Sequence, residues 1–87
     1  MNIQVSASIL SADFANLESE IKRLNNSYVD AIHIDIMDGV FVDNITIGYD
    51  VVRSIRKYST LEFDVHLMIS KPEKFIKKFA LFMKIKK

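Results

Sequence analysis

Two short stretches concentrate the groups that could do chemistry. HIDIM at 33–37 sets an imidazole and a carboxylate two residues apart in an apolar run, and DVHLM at 64–68 repeats the pair in reverse order. On an extended chain, residues i and i+2 point the same way, roughly 6.5–7 Å apart. His33 and Asp35 therefore share a face, and Asp64, His66 and Met68 share another. Groups of this kind inside an apolar element cost on the order of several kcal/mol unless a partner, a metal or a water-filled pocket receives them.

Two imidazoles and one carboxylate converging from neighbouring strands make a donor set for a divalent cation such as Zn, Fe, Mn or Co. Taken singly, each residue has a plainer reading. A lone buried histidine is most often a satisfied core residue, Met37 and Met68 suit flexible core filler, and Ser8 suits a small interior position. Asp64 beside His66 reads as a carboxylate that orients the ring. The triple His33, Asp35 and His66 is what points to a metal. Other chemistries find no support: the chain has neither G-x-G-x-x-G nor G-x-x-x-x-G-K-[ST], and no elbow marks Ser8 or Ser11 as a nucleophile.

The elements that must position these groups follow from periodicity. IQVSASIL at 3–10 alternates, with Ile3, Val5, Ala7 and Ile9 opposite Gln4, Ser6 and Ser8, and predicts a strand. SADFANLESEIKRLNN predicts a helix capped by Ser11 or Asp13, its apolar stripe formed by Phe14, Leu17, Ile21 and Leu24. DAIHIDIMDG is a second strand closed by an Asp38-Gly39 turn. VFVDNITIG is a loop of unusual apolarity, and YDVVRSIRKY a second helix. LEFDVHLMIS is the third strand. Pro72 suits the first turn of a third helix striped by Phe75, Ile76, Phe79 and Phe82. The final FMKIKK reads as a basic end with no evident partner.

Strand and helix alternate three times, which argues for a parallel sheet with crossover helices. Each strand keeps one apolar and one polar face, whereas strands of an open α/β sheet run apolar throughout. A barrel interior that opens onto an active site explains the polar faces. The 87 residues make at most one domain, with 49% hydrophobic and 26% charged side chains. A net charge of +1 gives no electrostatic footprint for nucleic acid, and the lysines at 71, 74, 77, 78, 84, 86 and 87 read as a solvated face. The absence of cysteine excludes disulfides and thiolate chemistry and fits a reducing cytoplasm. With no signal-like start and no apolar run of ~18 residues, a soluble, unprocessed chain without a membrane role is expected.

SASILSADF at 6–14, HIDIMDGVFVDNITIG at 33–48 and DVHLMI at 64–69, in that order, resemble the ribulose-phosphate 3-epimerase family over roughly residues 3 to 80. The resemblance implies a TIM (β/α)₈ barrel that interconverts D-ribulose 5-phosphate and D-xylulose 5-phosphate, with metal-assisted proton abstraction and return through an enediolate. By motif, His33, Asp35 and His66 resemble metal ligands, and Asp35 resembles one of two acid/base carboxylates. Ser8, His66, Met37 and Met68 resemble substrate contacts, and VFVDNITIG a mobile segment beside them. Ala7 and Asp43 stand where the family commonly has proline. Barrels of this kind take ~200–250 residues, so the expectation is three N-terminal β/α units in residues 1–87 with an atypical basic tail at 81–87. The second acid/base aspartate and the phosphate loops are then absent, giving a truncated, catalytically impaired form. Alternatives are a hexulose-6-phosphate 3-epimerase or a non-catalytic remnant that binds metal or self-associates through bare sheet edges.

Overall fold

The structure, a computed structural model, describes residues 4–80 and 84–86. Four strands, β1 (Ser6–Ser8), β2 (Ala31–Met37), β3 (Glu62–Met68) and β4 (Lys84–Lys86), form one sheet in the order β1-β2-β3-β4, each pair parallel. Between them run α1 (Leu17–Asn25), α2 (Tyr49–Arg56) and α3 (Ile76–Ala80), with 3₁₀ turns at Phe14–Asn16 and Pro72–Lys74. The alternation thus produces parallel crossover units.

The strand pattern explains the layering. Ile32, Ile34 and Ile36 of β2 and Phe63, Val65 and Leu67 of β3 are buried, whereas the intervening residues from His33 and Asp64 onward are only partly so. Ile21, Val52, Ile55 and Phe79 from the three helices join the first set in a single core. Each such side chain contributes about 1.5–3 kcal/mol by leaving water. The helices pack on the apolar face, and the alternate face keeps its polar groups with no helix over it among the described residues.

The ends of the elements depart from the sequence reading. The first strand starts at Ser6 rather than residue 3, and Val5 is 47% exposed. Among the described strands β1 pairs with β2 alone and forms a sheet edge, which leaves Val5 without cover on that flank. Asp13 does accept from the Ala15 N–H at 3.0 Å, yet it caps the 3₁₀ turn, not α1. Three residues per turn rotate Phe14 off the α1 stripe, leaving it 43% exposed. Phe75, which follows the second 3₁₀ turn, is likewise 39% exposed while Phe79 is buried. Ile3, Phe82 and Lys87 lie outside the described residues. The chain end does find a partner, because residues 84–86 extend the sheet beside β3 as a fourth strand. Short alternating segments of this size carry too little periodicity to be told from a tail. No helix among the described residues is long and apolar enough to cross a membrane.

Candidate metal centre

Register brings the chemically capable residues into rows across the polar face. Ser8 of β1 lies beside His33 of β2, which lies beside Asp64 of β3. In the next row Asp35 neighbours His66, and in the third Met37 neighbours Met68 at the C-terminal ends of both strands. Neighbouring strands are about 4.8 Å apart, closer than residues i and i+2 on one strand. Side chains of one face therefore meet across strands as well as along them.

Asp35 stands between the two imidazoles. Its Oδ1 is 2.8 Å from His33 Nε2 and 3.3 Å from His66 Nδ1. The rings meet edge to face with centroids 6.1 Å apart. One ligand atom from each of His33, Asp35 and His66 falls within 4.8 Å of the others. Donors around a tetrahedral Zn²⁺ with ~2.0–2.1 Å bonds sit roughly 3.3 Å from one another. The spacing and the chemistry of the three donors thus fit a small divalent cation. Asp35 is 14% exposed and His66 37%, so the cluster is sheltered from below and open to solvent above.

Asp64 lies against His33, a neighbour that its place beside His66 in the sequence did not suggest. Its Oδ2 lies 3.4 Å from His33 Nδ1, on the ring edge opposite Asp35. The cause is the register, which makes His33 the adjacent side chain and His66 a more distant one along the same strand. Ser8 reaches the same face, where its hydroxyl oxygen accepts from the Leu10 N–H at 3.1 Å.

The segment after β2 is fastened at both ends. Thr46 Oγ1 accepts from the Met37 N–H at 2.9 Å and donates to the Asp35 carbonyl at 2.7 Å, bracing the backbone that carries the carboxylate. Asp38 Oδ1 accepts from the N–H groups of Val40 and Phe41, and Oδ2 from the Ser70 N–H at 3.0 Å. These bonds, the one to Ser70 foremost, hold the Asp38 carboxyl down at about 2. Gly39, at φ 79, permits the turn, and a Cβ there would meet the Ile45 side chain at 2.9 Å. Val40, Phe41 and Ile45 are left exposed on this segment.

Asp38 drew notice in the sequence only as half of a turn signal, and Thr46 drew none. Both act by long-range hydrogen bonds that no local spacing announces. A cavity of about 470 Å³ opens behind the strand ends, bounded by Ile36, Ile47, Tyr49, Ile69 and Phe79. None of His33, Asp35 and His66 lines it.

Residues 4–85 match the family described as the ribulose-phosphate 3 epimerase family. The match runs five residues past Ala80, through most of β4. Among individual relatives, the ribulose-phosphate 3-epimerase of Bacillus subtilis (strain 168) is 54% identical over 78 residues, covering 90% of this chain and 36% of the relative. That of Synechocystis sp. (strain ATCC 27184 / PCC 6803 / Kazusa) is 53% identical over 79 residues, 91% of this chain and 34% of the relative. The cytoplasmic isoform of Oryza sativa subsp. japonica is 43% identical over 77 residues, 88% of this chain and 34% of the relative. The chain thus spans about a third of the length of these relatives.

Proposed function

Because this chain belongs to the ribulose-phosphate 3 epimerase family, a family of TIM-barrel isomerases whose N-terminal β/α units its open sheet matches, we propose that its polar face supplies the metal-holding donors and one acid/base carboxylate for 3-epimerisation of D-ribulose 5-phosphate. The observation that supports this reading is Asp35 Oδ1 standing within 3.3 Å of an imidazole nitrogen on each side. His33, Asp35 and His66 would hold the cation. When bound, a divalent metal supplies Lewis-acid stabilisation of negative charge on the substrate oxygens.

The residues of this face account for proton removal and for contacts to the sugar. The carbon next to the ketone must lose a weakly acidic proton, and a carboxylate held at a fixed point can accept it. Asp35 takes that proton, with Thr46 fixing its backbone. Met37 and Met68 flank the sugar as polarizable walls, and Ser8 supplies a polar contact in the His33 row. The described carboxylates of this face, Asp35, Glu62 and Asp64, all rise from one sheet. Inversion needs a proton from the opposite side of the substrate, hence an acid that this sheet does not provide.

The test is solvent exchange. In D₂O with ribulose 5-phosphate and Zn²⁺, Mn²⁺, Fe²⁺ or Co²⁺, the 87-residue chain is expected to place deuterium at C3 with little xylulose 5-phosphate formed. Asp35→Asn is expected to abolish the exchange. Exchange at equal rates in the variant would remove Asp35 from the proposal, and ready formation of xylulose 5-phosphate would overturn the need for a second acid. A hexulose 6-phosphate run in parallel separates the two sugar classes.

A further inference from the structure

We propose that Asp64 is the positioning residue of the metal centre, acting through His33 by fixing which of its ring nitrogens is presented to the cation. The inference rests on the proposed metal-binding role of His33, Asp35 and His66 and extends it to a residue outside that triple.

The argument is one of ring geometry. His33 has its two nitrogens against different carboxylates, Nε2 at 2.8 Å from Asp35 and Nδ1 at 3.4 Å from Asp64. A neutral imidazole carries one N–H, and only the other nitrogen has a lone pair for a metal. Nε2 is the nitrogen on the Asp35 side, where the donors of His66 also converge. For Nε2 to ligate, the proton must reside on Nδ1, and the acceptor facing Nδ1 is Asp64 Oδ2. A carboxylate in that place holds the tautomer, stops the ring turning over, and makes Nε2 a stronger donor. His33 is 24% exposed and Asp64 15%, so water competes little for this contact.

The strand register makes the arrangement rigid. His33 and Asp64 are paired positions of β2 and β3 in a continuous seven-residue pairing, so neither can shift without breaking the ladder. Asp64 therefore couples the strand that carries two of the donors to the strand that carries the third.

The experiment is a Zn²⁺ and Co²⁺ titration of the 87-residue chain and of Asp64→Asn and Asp64→Ala, with ¹⁵N spectra of the His33 ring in the loaded wild type. Asn retains a neutral acceptor and Ala none, so the expected affinities fall in the order Asp, Asn, Ala, by about 10-fold and up to about 100-fold. The spectra should show a protonated Nδ1 and a ligated Nε2. Equal affinities in all three proteins, or a ligated Nδ1, overturn the proposal. Failure of the wild type to bind either ion at micromolar concentration instead removes the metal site itself, a distinct outcome. Should a variant misfold by circular dichroism, the wild-type spectra alone still decide.

Discussion

Asp35 is the residue on which the site turns, since it touches both imidazoles. Its amide isostere keeps the shape but not the charge, and a neutral amide oxygen is a poor ligand for a hard divalent ion. Asp35→Asn is therefore expected to lower Co²⁺ affinity by at least about 10-fold, read from the visible absorption of the bound ion, with an unchanged far-UV spectrum. His33→Gln should do likewise, which separates the donor set from mere charge. This much was legible in the sequence, because the shared face of His33 and Asp35 needs only that the chain be extended. The partner of Asp64 was not legible. It depends on how two strands are aligned, and alignment is fixed by core packing far from either residue.

At the scale of the element, the start of the segment after β2 is held by Asp38, while its apolar residues Val40, Phe41 and Ile45 stay exposed. The Asp38 carboxyl titrates at about 2 in the folded chain against 3.8 for an ordinary aspartate. A lowered folded value means that the unfolded chain takes up the proton first as pH falls. The contribution is whole above roughly pH 4 and is lost as pH drops through about 2. Asp38→Asn should flatten that part of the acid limb in urea unfolding followed between pH 5 and 2. It should also speed hydrogen exchange at the Ser70 amide, since an amide nitrogen turned toward that N–H cannot accept. Helix and strand identities were readable from period alone, but their ends were not. Phe14 and Phe75 sat at helical spacing and were diverted by 3₁₀ turns, the first capped by Asp13 and the second opened by Pro72.

For the molecule as a whole, the core is a single layer between one sheet and three helices. Phe63 is fully buried at its centre, with the Arg56 guanidinium 3.7 Å above its ring. Phe63→Ala is expected to cost about 3–5 kcal/mol. Against the ~5–15 kcal/mol that a typical domain holds in total, the midpoint in chemical denaturation should fall steeply, with Val52→Ala giving a smaller loss. The parallel architecture was readable because the strand–helix alternation leaves few topologies open, whereas the fourth strand, three residues long, was hidden among lysines. Spatial order within the sheet repeats order along the chain. During synthesis, each new strand can dock on its predecessor the moment it clears the ribosome, with no wait for a distant segment. At ~5–20 residues per second, the 33 positions separating His33 from His66 emerge within seconds, so nascent polypeptide could already compete for cellular metal.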